Sequence, residues 1–301
     1  MDAVVSEDRR TTGDVRAGTT WLLRAFAVLT ALAVIQLLVL SDVADRFWAW
    51  TIPKELTAAF LGSAYAAGFV LALASLRERE WSRIRVPVIT VTVFTWLAAV
   101  ATGIHLHRLH LLSGGLVARG AAWVWLLVYL LIPLACLVVV VRQERERVGC
   151  DAVLRPMPDW LTAVLTVEGA ALLAAGAVLF GGGLTVHHHE EAADFWPWGL
   201  MPLGAQVTGA WLIALAVAAG LAIIQRDLRR LLVSALTYTA FGVFQVGAVV
   251  WYWPQLSRHD LSLWAYLTLL AAIIGTGGYG WWAAQRGEPH PAPPLERPIG
   301  G

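Results

Sequence analysis

Eight times along this chain, about twenty residues pass with almost no charge. The runs fall at 21–41, 56–76, 86–105, 121–141, 160–181, 203–225, 231–252 and 263–284. Roughly 20 apolar residues are what an α-helix needs to cross the hydrocarbon core of a bilayer. Inside lipid, every backbone N–H and C=O must find its partner within the protein, so a spanning run becomes a helix or part of a closed barrel. These runs have the length of helices, about twice that of a barrel strand. The expected fold is therefore all-α, a polytopic membrane protein with eight transmembrane helices. Composition agrees. Only 14% of the residues are charged, against about 25% in a soluble domain. A net charge of +1, with no basic stripe, excludes nucleic acid as a partner. The partners expected are the lipid bilayer and a hydrophobic small molecule or lipid.

The loops between the runs set an orientation. Arg77, Arg79, Arg83 and Arg85 share one loop. Arg142, Arg145, Arg147 and Arg155 share the next loop on that side, and Arg226, Arg229 and Arg230 the third. The opposite loops hold only Arg46, Lys54, Arg108, Arg119 and Arg258. Basic loops stay in the cytoplasm. Both termini are then cytoplasmic, and the expected location is a bacterial inner (plasma) membrane. Arginine outnumbers lysine 21 to one, and Ala, Val, Leu and Gly abound, which is the coding bias of a high-GC genome. Cys136 lies in an apolar run and Cys150 in a charged loop, so no disulfide framework is expected.

The second half repeats features of the first. Residues 47–50 read FWAW and residues 195–198 read FWPW. Each motif precedes an even-numbered run, and Pro53 and Pro202 follow within four residues. Proline is tolerated in the first turn of a helix, so both motifs read as helix starts on the side away from the arginines. The fourth run opens AWVWLL and the eighth LWAYLT. The expected organisation is two tandem four-helix repeats. A cytoplasmic tail (1–20) leads into a first unit (21–150). A second unit (151–286) is followed by a Pro-rich tail (287–301). Aligning Trp21 with Trp160 makes Leu29 the counterpart of Glu168. An even number of spans per unit puts the repeat axis along the membrane normal. Trp48, Trp50, Trp196 and Trp198 then have two readings. They form an aromatic belt at headgroup level, or they line a substrate-binding vestibule between the halves. The stretch FWPW…P…GAW resembles uncharacterised multi-pass membrane proteins of actinobacteria, a resemblance that brings no activity with it.

Ionisable side chains within a span are functional candidates. One acid lies deep. Glu168 is eight residues past Trp160, about 12 Å along a helix. It is either a structural glutamate gripping a neighbouring helix or a proton- or substrate-linked catalytic group. Gln245, with Gln36 and Gln206, either bonds across helices or contributes to a substrate site. Thr90, Thr92 and Thr95 occupy positions corresponding to Ser234, Thr237 and Thr239.

Seven of the eight histidines fall on the side away from the arginines: 105, 107, 110, 187, 188, 189 and 259. His107 and His110 share a face if the third helix continues through them. With His188 and Glu190 from the 5–6 loop they make a candidate metal site of imidazole and carboxylate. Solvated loop histidines and a pH-responsive surface are the alternatives. There is no Walker loop, no GxGxxG and no GxSxG. The functional expectation is a transporter-like or small-molecule-binding permease with its site between the halves. A membrane enzyme acting on a lipid or isoprenoid through the histidine side is the rival, and a non-catalytic assembly subunit is the third reading.

The topology predicts that single cysteines at Ser113, Gly183 and Ser257 react with an impermeant thiol reagent in intact cells, in a background lacking Cys136 and Cys150. A cysteine at Ser82 should stay unlabelled. The reverse pattern would invert the orientation.

Overall fold

A computed structural model describes residues 14–145, 153, 155–185 and 195–286. It is helical, and eight helices are long and apolar enough to cross a membrane. They are α1 (Ala17–Val34), α2 (Glu55–Ser75), α3 (Trp81–Ile104), α4 (Leu116–Arg145), α5 (Asp159–Thr185), α6 (Pro202–Gln225), α7 (Leu232–Trp251) and α8 (Leu261–Gln285). Each covers one of the eight apolar runs. A π-helical turn, Ile35–Val39, extends α1.

The helices are apolar all round, so amphipathic periodicity cannot choose their faces. Side-chain size does. The sequence of α2, ELTAAFLGSAYAAGFVLALAS, is rich in Ala, Gly and Ser, and small residues let helices approach closely. Its most apolar stretch is 83% buried, against 22% for the Leu- and Val-rich α4. Helices α2, α3, α6 and α7 form the centre, and α1, α4, α5 and α8 the lipid-facing periphery.

The neighbours come in matched sets. Helix α1 packs on α2, and α5 on α6. Helix α3 packs on α4, and α7 on α8. Across the middle, α2 meets α7 and α3 meets α6. The loops carrying the arginines define one face of the bundle, the arginine face. The loops carrying His105, His107, His110 and His259 define the other, the histidine face.

Both halves start alike at the arginine face. Val15 N–H donates to Arg79 O at 2.8 Å, and Met157 N–H to Arg226 O at 3.1 Å. Isolated bridges pair Asp14 with Glu80 and Pro156 with Asp227. Asp227 is fully buried. It accepts from Arg155 N–H and Arg229 N–H and pairs with Arg230 at 3.3 Å. The Arg155 guanidinium reaches on to the carbonyls of Ala283 and Arg286 at the end of α8.

The two proline positions differ. Pro202 is the first residue of α6. Pro53 lies outside α2, whose cap is Lys54. Gly183 is also not a loop residue. It sits in α5, where an added Cβ would meet Gln206 Cγ at 2.5 Å. Ser113 and Ser257 are exposed on the histidine face and remain sound labelling positions.

The α5–α6 crossing depends on the absence of side chains. A Cβ on Gly209 would stand 2.6 Å from Gly176 O and 2.8 Å from Phe180 N. These are backbone atoms, so nothing small can give way. Gly209→Ala is expected to lower unfolding stability in detergent by about 1–3 kcal/mol. Gly220→Ala, where an added Cβ meets nothing within 4 Å, should not lower it and is expected to raise it by up to about 1 kcal/mol, since Ala costs less backbone entropy than Gly in a helix. Equal effects would show that the close approach does not govern stability.

Candidate functional site

The four motif tryptophans are not a membrane belt. Trp48, Trp50 and Trp196 are buried within the protein, and Trp198 is half-buried. The exposed indoles are others. Trp21, Trp160, Trp281 and Trp282 lie towards the arginine face, Trp123, Trp251 and Trp264 towards the histidine face, and Trp96 lies within the span of α3. Those at the helix ends fit the interfacial role.

Each FWxW pair makes an edge-to-face contact and turns onto the last helix of its half. Trp48 and Trp50 have ring centroids 5.6 Å apart and pack on Trp125 of α4 at 5.4 and 4.8 Å. Trp196 and Trp198 lie 5.3 Å apart and pack on Tyr266 of α8 at 5.3 and 5.8 Å. Trp125 Nε1 donates to Thr102 Oγ1 of α3 at 2.9 Å. Tyr266 OH donates to Gln245 Oε1 of α7 at 3.2 Å. The Gln245 amide also donates to Phe60 O of α2 at 3.0 Å. Both ends of Gln245 are therefore engaged in holding helices together. Trp198 Nε1 donates to Thr57 Oγ1 at 3.0 Å.

Aromatic rings pack across the space between the halves. Phe94 of α3 stacks on Trp211 of α6 with centroids 3.9 Å apart, and Phe60 of α2 meets the edge of Phe241 of α7. Two of the cavities among the described residues lie within the halves. The larger, about 200 Å³, is walled by α1 to α4 beneath Trp48 and Trp125. Leu32 and Val124 form its rim and are half exposed on the lipid side. The cavity therefore faces the bilayer through the sparse contact between α1 and α4. Tyr65 and Tyr129 share a hydrogen bond of 2.7 Å in its wall. The smaller, about 60 Å³, lies among α5 to α8 towards the arginine face, with Tyr238 and Thr276 in its lining.

Glu168 is buried beside that smaller cavity. Tyr238 OH of α7 donates to Oε2 at 3.1 Å, and Thr276 Oγ1 of α8 lies 3.1 Å from the same oxygen. Thr276 Oγ1 is also 2.9 Å from Ala272 O and 3.3 Å from Ile273 O, so its one proton is contested. The acid thus ties α5 to two other helices. Sequence reasoning found the glutamate but not its partners, which lie 70 and 108 positions away.

The histidine residues are dispersed. Helix α3 ends at Ile104, so His107 and His110 do not share a helical face. His110 Nε2 lies 3.1 Å from Thr51 Oγ1, and its backbone N–H donates to Ala49 O. His107 Nε2 accepts from Arg108 Nε at 3.2 Å. His188 and Glu190 fall outside the described residues. Among the described residues, no three His, Cys, Asp or Glu side chains converge to hold a metal ion. His105 was not singled out by sequence, yet it is the buried one. Burial, with the charge of His107 behind it, lowers its pKa below the usual imidazole range. At the other interface between halves, Tyr252 OH lies 2.7 Å from Ser41 Oγ and donates to Asp42. Burial and that carboxylate push its pKa up to about 12.

The Glu168 network generates a coupling prediction. Tyr238→Phe should destabilise the protein by about 1–3 kcal/mol, because a buried carboxyl loses a donor. In Glu168→Leu the same tyrosine change should cost clearly less, since interacting residues are not additive. Thermal unfolding of the four proteins in detergent measures this. Additive losses would mean that Tyr238 and Glu168 do not interact. No family model, no curated protein and no solved structure matches this chain.

Proposed function

We propose that the chain is a tandem duplication of a four-helix unit and acts as a small-molecule-binding permease for a lipid-soluble compound. The compound occupies the first unit, α1–α4. In this reading the arginine face is cytoplasmic and the membrane is a bacterial plasma membrane.

Paired interactions support the duplication. The step from Val15 to Met157 is 142 positions, and that from Arg79 to Arg226 is 147. At the second spacing, Thr90 and Thr92 pair with Thr237 and Thr239, and all four donate to the carbonyl four residues back on their own helices. Phe94 pairs with Phe241, both at the interface between halves. The step from Trp125 to Tyr266 is 141. The exchange of partners, α2 with α7 and α3 with α6, is what a two-fold axis along the membrane normal produces. In this register Glu168 corresponds to Phe26, not to Leu29.

The carrying observation for function is the 200 Å³ cavity. Natural interiors are close-packed, and an apolar void of about 150 Å³ admits benzene. The proposed counterpart positions in the second unit are filled. Where the first unit has Thr30, Tyr65 and Tyr129, the second has Leu172, Leu212 and Leu270, all buried. One unit keeps a mostly apolar hollow with a few hydroxyls in its wall, and the other has leucine at those hydroxyl positions. The mouth faces lipid, so the compound enters from the bilayer. In this reading the site lies within one unit rather than between the two.

Native mass spectrometry of protein released from nanodiscs tests the reading. The wild type should carry one neutral lipid-soluble molecule. Ala33→Leu fills the cavity wall and should lower occupancy about tenfold or more. Gly220→Ala should leave it unchanged. Equal occupancy in Ala33→Leu and the wild type would overturn the site.

A further inference from the structure

We propose that Arg24 and Trp21, on the outer face of α1, hold the phosphate of an anionic phospholipid in the leaflet at the arginine face. The inference does not depend on what occupies the cavity of α1–α4.

Arg24 is the only arginine or lysine inside the eight apolar runs. A cation within a span is costly unless its charge is met or carried to the boundary. Other arginines of the same face are met by the protein. Arg83 pairs with Glu78 and Glu80, Arg85 with Glu144, and Arg230 with Asp227. Arg155 donates to the carbonyls at the end of α8. Among the described residues, no carboxylate and no carbonyl meets the Arg24 guanidinium. The one acid inside the runs, Glu168, is bound by Tyr238 and Thr276 in the other half. Arg24 lies instead over the ring of Trp21, 5.3 Å from its centroid, and Trp21 is itself 68% exposed.

The helix sets where that charge goes. Side chains of an α-helix tilt towards its N-terminus, and α1 begins at the arginine face. Arg24 is three residues past the start of the apolar run at Trp21, about 5 Å along the axis. An arginine side chain covers that depth and brings its charge to the boundary, where the phosphates of lipids lie. A guanidinium has five N–H donors and no acceptor, and phosphate oxygens match its fork two at a time.

The same face of α1 suits the rest of a lipid. Trp21, Arg24, Val28 and Leu32 follow at spacings of three and four, so they share one face, and all four are exposed. From Arg24 to Leu32 is about 12 Å, and one leaflet's half of the hydrocarbon core is about 15 Å. An acyl chain hanging from a phosphate at Arg24 therefore runs along Val28 to Leu32. Charge selects the headgroup. Val15 N–H donates to Arg79 O, which brings the loop carrying Arg77 and Arg79 beside the start of α1. The acids of that loop, Glu78 and Glu80, are paired with Arg83. A zwitterionic headgroup would add another cation to this rim, whereas a headgroup of net negative charge would not.

Native mass spectrometry of the full chain in detergent, titrated with phosphatidylglycerol or with phosphatidylcholine of identical acyl chains, measures the affinity of the first lipid bound. Phosphatidylglycerol should bind about fivefold more tightly. Arg24→Gln should remove that preference. Arg77→Gln takes one charge from an exposed loop of the same face and should keep it. Trp21→Leu removes the ring beneath the guanidinium and should weaken phosphatidylglycerol about two- to fivefold. Excess inorganic phosphate should not displace the lipid. Equal binding of the two lipids, or equal losses in Arg24→Gln and Arg77→Gln, would overturn the site. If Arg24→Gln does not fold, undiminished phosphatidylglycerol binding by Trp21→Leu would overturn it. Displacement by inorganic phosphate would make the pair a site for soluble anions and overturn the lipid reading.

Discussion

In lipid, a helix gains little by hiding leucine from its surroundings, because the surroundings are equally apolar. Helix association must then come from close packing and from the few polar side chains. The whole arrangement depends on this. Gly176 and Gly209 let the backbones of α5 and α6 touch, and Gly62 does the same where α2 meets the end of α1 at Leu37 and Leu38. Ser63 Oγ donates to Phe244 O, and Gln206 Nε2 to Phe180 O. These contacts connect α2 to α7 and α6 to α5. Leucine and valine, freed from holding helices together, collect on α4, where they meet lipid.

That same physics decides what was legible in the sequence. The eight spans were, because their length and lack of charge answer to the bilayer alone. The lone acid was legible too, since nothing else at that depth ionises. Its partners were not. Tyr238 and Thr276 sit on helices that are apolar all round, and no periodicity says which way they face. The FWxW tryptophans invited an interfacial reading because indoles favour that depth. Trp48 and Trp50 are buried where the chain doubles back at Trp50, which bridges to Leu109. No local pattern announces that bridge. His107 and His110 looked like one helical face only while α3 was assumed to run on past Ile104. A cavity is the hardest feature to read, because it is the space between residues that are individually ordinary.

Polar groups in the bundle move in sets. In the proposed register, Glu168 stands where the first unit has Phe26. Its two partners, Tyr238 and Thr276, stand where the first unit has Val91 and Ala135. Val91 packs on the cluster that contains Phe26. An acid with two hydroxyl partners in one unit thus corresponds to a phenyl ring and two aliphatic side chains in the other. The tyrosines obey the same logic. Tyr65 and Tyr129 bond to each other, and their counterparts Leu212 and Leu270 are both buried leucines.

Such coupled exchange follows from the cost of leaving one member of a polar pair buried alone. A single Tyr→Leu change would strand the other hydroxyl, whereas the double change strands nothing. On the proposed duplication, two units sharing one backbone plan can diverge, provided each change carries its partner with it. The first tryptophan of each FWxW stands outside this pairing. Trp48 and Trp196 are both buried, and neither Nε1 has a partner. Their surroundings differ. Trp196 is packed against the rings of Phe60, Trp198 and Tyr266, whereas Trp48 borders the open cavity. The ring of Trp48 borders that cavity, yet it too packs on Trp50, Tyr65 and Trp125, and its N–H, like that of Trp196, is buried without a partner.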